Sequence, residues 1–224
     1  MSRTAIVYSE WVKLPTGSSA EDATTPSAAK ASRMSSSLGW LALGAVWALA
    51  VGAGFVGLTR YQSQPGENGV APESWPRASR ISRPRDRATL VMFAHPQCPC
   101  SHASVSELAR LMARFDGRLA GYVVFTRPAG VAEDWDHTEL RKRAAAIPGV
   151  SVLSDEGGSE VARFRVVTSG ATVLYDTEGR LLFSGGITSA RGHEGDSFGI
   201  QRISSLLTAG RADRSDAPVF GCVL

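Results

Sequence analysis

Residues 88–102 read ATLVMFAHPQCPCSH, and the fold is decided there. Ala88–Ala94 is an unbroken apolar run, the pattern of a strand buried on both faces. It ends directly in His95-Pro96-Gln97-Cys98-Pro99-Cys100-Ser101-His102. From Ser101 to Phe115, the residues Val105, Leu108, Met112 and Phe115 share one helical face, and Asp116-Gly117 ends the run. A buried strand thus delivers two cysteines to the start of a helix. The carboxyl ends of strands are where open α/β sheets gather their chemistry.

Working outward, Leu119–Thr126 reads as a second strand, and Asp136–Ala146 as a helix closed by Pro148. Val150–Ser154 reads as a short strand and Gly158–Arg165 as a short helix. Thr172–Asp176 and Arg180–Ser184 flank Thr177-Glu178-Gly179, a hairpin turn. Ser197–Ala209 is amphipathic, with Ile200, Ile203, Leu206 and Leu207 on its apolar side. The order β-α-β-α-β-α-β-β-α predicts an α/β domain with a mainly parallel sheet and an antiparallel edge. The Gly-rich loop Ser184–Gly199, with Arg191-Gly192-His193-Glu194-Gly195-Asp196, has no phosphate-cradling pattern.

This arrangement resembles the thioredoxin superfamily over about residues 88–210. Within it, VLSDEGGSEVARFRV (152–166) and TVLYDTEGRLLFSGGI (172–187) are similar to membrane-tethered, TlpA-like thioredoxins. The HPQCPCS start (95–101) and FGC (220–222) resemble the group labelled RedB. The resemblance implies a thioredoxin-like mixed sheet flanked by helices, and thiol–disulfide exchange at the cysteines. Two positions depart from the family. Its Cys-x-x-Cys is replaced by Cys98-Pro99-Cys100, with Ser101 where the second cysteine would fall. Its cis-proline, which shapes substrate docking and shields the cysteines from metals, is replaced by the stretch Ser169-Gly170-Ala171-Thr172.

Proline favours the first helical position, so Pro99 there makes Cys98 the N-cap residue. A thiolate facing a helix N-terminus is stabilised, and such sites lower a cysteine from about 8.5 to between about 3.5 and 7.5. A protonated His95 or His102 would act in the same direction. Cys100 is one resolving partner for Cys98, through a strained and easily reduced disulfide. Cys222 is the other, if the tail folds back.

The same residues support a metal reading. His95, Cys98, Cys100 and His102, with His193 on a neighbouring loop, suit copper as Cu(I), or zinc. A third reading is a thioredoxin-like interaction module without chemistry. The histidines also have plain readings: His95 as a loop residue, His102 facing solvent, and His137 in a solvated acidic cap.

Charge divides the rest of the chain. The 224 residues carry a net +3. Residues 60–87 hold six arginines against three acids, whereas 88–224 hold 14 basic and 15 acidic residues. The positive surplus therefore lies outside the domain, beside a membrane rather than on a nucleic acid. Three cysteines exclude a disulfide-stapled scaffold. Residues 1–37, rich in Ser, Ala and Thr, read as a flexible tail.

Residues 38–59, LGWLALGAVWALAVGAGFVGLT, carry no charge and span about 33 Å as a helix, enough to cross a bilayer. Four prolines and two glycines make 60–87 a mobile spacer, and 211–224 a C-terminal tail. The expectation is a single-pass protein of a bacterial-type inner membrane. It would meet lipid through 38–59 and an unidentified protein thiol or disulfide through the domain 88–224, held outside the cytoplasm.

Overall fold

The alternation read from the apolar pattern is the architecture observed in a computed structural model, which describes residues 28–210 and 215–224, with side chains from 38. The strands are β1 (Ala88–Ala94), β2 (Leu119–Arg127), β3 (Val150–Glu156), β4 (Thr172–Tyr175) and β5 (Leu181–Gly185). The helices are α1 (Ala28–Ser63), α2 (Ser101–Arg114), α3 (Glu139–Ala145), α4 (Ser159–Phe164) and α5 (Phe198–Ala209). The sheet order is β3-β2-β1-β4-β5. β1 pairs parallel with β2, and β2 with β3, while β4 is antiparallel to both β1 and β5.

β1 lies at the centre, and its alternating side chains feed two cores. Leu90, Met92 and Ala94 pack with Val105, Leu108 and Met112 of α2, Leu140 of α3 and Ile203 of α5. Val91 and Phe93 face the other way, with Val173 and Tyr175 of β4 and Phe164 of α4. Among the described residues, a six-residue helix, α4, is the one helix on that second face. Its remaining cover comes from segments without regular structure.

Here the expectation of a mobile spacer fails. Ile81 is 3% exposed in the second core. The Trp75 ring meets Phe164 and Tyr175 edge-on, each at 5.2 Å. Tyr175 donates its hydroxyl to the Pro72 carbonyl at 2.8 Å. Ser79 Oγ and the Arg80 backbone N–H donate to the buried Glu160 carboxylate at 2.7 and 3.1 Å. A buried carboxylate needs such donors, so this segment completes the domain.

The C-terminal tail is corrected in the same way over 215–224. Val219 is 1% exposed, and Asn68 clamps the segment through Ala217 O (2.9 Å) and Val219 N–H (3.0 Å). The acidic cap near His137 is also not fully solvated. Asp136 is buried and paired with Arg141 at 2.7 Å, and α3 starts after it, capped by Thr138.

The chain divides into two units at Gly52–Ala53, within α1. Leu38–Ser63 of this helix is long and apolar enough to cross a membrane, and none of its apolar window is buried by protein. The flexible tail expected over 1–37 lies outside the described residues up to 27, and the chain is helical from Ala28.

Candidate functional site: three converging thiols

Because β1 is buried on both faces, the chain leaving Ala94 emerges at the edge of the core and turns at once. The turn is fixed by Cys98 N–H donating to His95 O at 3.0 Å and Ser101 N–H to Cys98 O at 3.1 Å. The N-cap of α2 is Cys100, not Cys98, and Pro99 lies in the preceding turn rather than at the first helical position. Cys98 therefore sits two residues before the cap. Bonds from Ser101 and His102 N–H to the carbonyls of Cys98 and Pro99 prolong the helix backwards in a tighter winding.

The segment opposite holds the site together. His95 N–H donates to Ser169 Oγ at 2.8 Å, and Ser169 Oγ lies 2.7 Å from Ser101 Oγ. Both serines are buried. The position that carries a cysteine in the resemblance is thus a buried hydroxyl tied to the loop that lacks the proline. Ser169 N–H donates to Cys222 O at 2.8 Å, which draws the C-terminal segment across this loop. Gly221 permits that approach, since a Cβ there would overlap the Ser169 carbonyl oxygen.

The result brings Cys222 Sγ to 3.0 Å from Cys98 Sγ, within hydrogen-bonding reach of sulfur. The Sγ atoms of Cys98, Cys100 and Cys222 all lie within 4.8 Å of one another. Cys98 is 3% exposed, and the other two are half-buried.

Burial pushes the Cys98 thiol up. Hydrogen bonds from the Cys222 thiol, the Ser101 hydroxyl and the N–H groups of Cys222 and Cys100 outweigh it, and bring Cys98 to about 7. Burial, then the hydrogen bond and charge of Cys98, push Cys222 up to about 12, against the pull of Arg191. Cys100 is raised by burial and by Cys98, again opposed by Arg191. Cys98 is accordingly the thiolate of the set.

The histidines stand apart from the thiols. His95 sets its ring edge-on to Trp135 at 5.6 Å, and its Nδ1 accepts from Gln97 N–H at 3.2 Å. Burial lowers His95, which keeps it neutral near pH 7. His102 Nδ1 lies 3.3 Å from the Arg143 guanidinium. His193 is exposed, with Nδ1 3.2 Å from the Arg191 carbonyl. Neither His95 nor His102 belongs to the three-thiol group.

Arg191 is the member of that Gly-rich loop that sequence reasoning missed. Its guanidinium donates to the Gly221 carbonyl and lies 4.9 Å from the centre of the Tyr61 ring. Ser169 was missed too. A loop arginine and a loop serine carry no periodic signal, and only the closure of the chain on itself gives them partners.

No protein-family model matches the chain, and no curated protein matches it at a significant level. Solved structures do. A hypothetical protein from Sinorhizobium meliloti is 21% identical, covering 72% of this chain and 96% of its own, at a TM-score of 0.51. An uncharacterised conserved protein from Geobacillus kaustophilus is 18% identical, covering 72% and 91%, at 0.50. A secreted Mycobacterium tuberculosis disulfide oxidoreductase homologous to E. coli DsbE is 18% identical over 55% and 82%, at 0.39. Identities this low speak to fold alone. With the central strand running into cysteines at a helix start and the β3-β2-β1-β4-β5 order, the chain carries a thioredoxin-like fold.

Proposed function

We propose that the protein is a membrane-anchored thiol–disulfide oxidoreductase in which Cys98 attacks and Cys222 resolves. The observation that carries this reading is the 3.0 Å approach of the two sulfurs, which favours Cys222 over Cys100 as the partner of Cys98. The Cys98 thiolate attacks one sulfur of a partner disulfide. A mixed disulfide forms, and the other partner sulfur leaves as a thiolate. Cys222 then loses its proton to solvent and attacks Cys98 Sγ, releasing the second partner thiolate. The partner is reduced by two electrons and the Cys98–Cys222 pair is oxidised; the reverse sequence oxidises a partner.

The charges suit this order. Burial, and with it the Cys98 anion, keeps Cys222 protonated. Once Cys98 is bonded to the partner its charge is gone, and Arg191 remains to favour ionisation of Cys222. The reading includes a helix anchored in a bacterial-type inner membrane, with the domain outside the cytoplasm, where a disulfide persists. The membrane tether and the fold also fit the TlpA-like group.

The test is exchange with glutathione disulfide, read by intact mass on the full chain. Cys98→Ser abolishes exchange, and Cys222→Ser accumulates a mixed disulfide at Cys98. Trapping by Cys100→Ser instead would return the pairing to Cys98-Pro99-Cys100. If no internal disulfide forms across a range of thiol buffers, the exchange reading falls and a non-catalytic interaction module takes its place. A C-terminal reporter active only in the cytoplasm would overturn the orientation.

A further inference from the structure

The pairing of Cys98 with Cys222 leaves a third sulfur unexplained. Cys100 is not needed to close that pair, yet its Sγ lies within 4.8 Å of both partners. We propose that the reduced chain binds one Cu(I) ion in a trigonal site formed by the thiolates of Cys98, Cys100 and Cys222.

The ligand set argues for this ion. Thiolates are soft donors that favour Cu(I), zinc and iron–sulfur clusters over hard cations. Zinc closes structural sites with four protein ligands, and among the described residues the group contains three. The histidines that would supply a fourth are engaged elsewhere, His95 against Trp135 and His102 beside Arg143. The site differs from a pairing of two thiolates with two imidazoles because the C-terminal segment contributes a sulfur from far along the chain.

The dimensions agree. At a metal–sulfur distance of about 2.3 Å, taken from zinc thiolates, three sulfurs around one ion sit about 4.0 Å apart. The group already falls within 4.8 Å, and the 3.0 Å approach of Cys98 to Cys222 must open by about 1 Å to admit the ion. The charge is also provided for. One Cu(I) with three thiolates carries two net negative charges, and the Arg191 cation acts on both Cys100 and Cys222. Cys98, 3% exposed, closes the inner side of the site to water.

Binding forms Cu–S bonds and releases the thiol protons to solvent, and no electron moves. Forming the Cys98–Cys222 disulfide would remove two of the three ligands. Copper occupancy and oxidation of the pair therefore exclude one another.

The experiment is an anaerobic titration of the reduced full chain in detergent with Cu(I), in competition with bicinchoninate. The expected result is one Cu(I) withheld per chain, with a thiolate-to-copper absorption in the near ultraviolet. Cys100→Ser weakens binding at least about tenfold, since even outer partners of a metal site are worth that much. A chain oxidised to the internal disulfide withholds none. The site is overturned if the reduced chain leaves all copper to the chelator, if Cys100→Ser binds as tightly as the parent, or if one Zn(II) is retained in preference to Cu(I). Far-ultraviolet dichroism checks that the variant is folded. Thiol counting in glutathione buffers is independent of the metal, so a chain that forms its disulfide but ignores copper overturns this inference and leaves the exchange reading standing.

Discussion

The two faces of the sheet are built by different means. The first is roofed by α2, α3 and α5, whose apolar residues recur at helical spacing. The second is roofed by one short helix together with Trp75, Ile81 and Val219, single apolar residues set in irregular chain. Burial does not distinguish them, since Leu108 on one side and Phe164 on the other are both fully buried. What differs is the source of the cover: repeating local pattern on one face, segments from outside the α/β alternation on the other. The second kind of cover also brings in the third thiol.

The sharpest way to break this comparison is to cut equally deep on both faces. Leu108→Ala and Phe164→Ala are each expected to cost about 2–5 kcal/mol in urea unfolding. Phe164 meets Trp75 at 5.2 Å, Phe93 at 5.3 Å and Tyr175 at 6.0 Å, so it is the keystone of the irregular side. A cost below about 1 kcal/mol for Phe164→Ala would mean that the second roof is loose cladding.

A smaller effect is expected from Asn68→Ala, which strips the clamp from Ala217 O and Val219 N–H. The cost should be about 1–3 kcal/mol, with buried backbone groups left unpaired. The more telling readout is the yield of the Cys98–Cys222 disulfide at fixed glutathione potential, which should fall. An unchanged yield would show that the segment is held without this clamp.

The smallest effect is a pH dependence in the reduced, metal-free chain. Cys98 titrates at about 7 in the fold, below the ordinary range of a free thiol. Its contribution to stability is complete above the unfolded value and is lost as pH falls through the folded one. Cys222, raised to about 12, does the opposite: its contribution is present below 9.0 and is lost as pH rises toward 12. The urea midpoint should therefore climb between pH 7 and 9 and decline above it. Cys98→Ser should flatten the climb; a climb that survives would assign it to another group.

The same contrast separates the parts of the molecule that are legible in the sequence from those that are not. β1, the helix after it and the hairpin around Gly179 are legible because each repeats a pattern of apolar residues or contains a turn residue, and their order specifies the sheet. Trp75 and Ile81 are visible as apolar residues, but the proline, glycine and arginine around them have the composition of a spacer. Nothing local says that Ser79 will satisfy a buried Glu160 across 81 positions. In the site, Cys98 and Cys100 announce themselves by spacing. Cys222 can only be named as one of two partners, because its place depends on Ser169, Gly221 and Arg191, which meet only when the chain has closed.

That closure sets an order of events in the making of the molecule. Cys222 lies beyond α5, so it leaves the ribosome after every strand and helix of the domain. A chain halted after α5 has all five strands, yet its Cys98 lacks the sulfur of Cys222 at 3.0 Å. The geometry of this site is thereby tied to synthesis of the segment beyond α5: the sulfur that approaches the first cysteine is delivered only when the strands and helices that receive it have already been made.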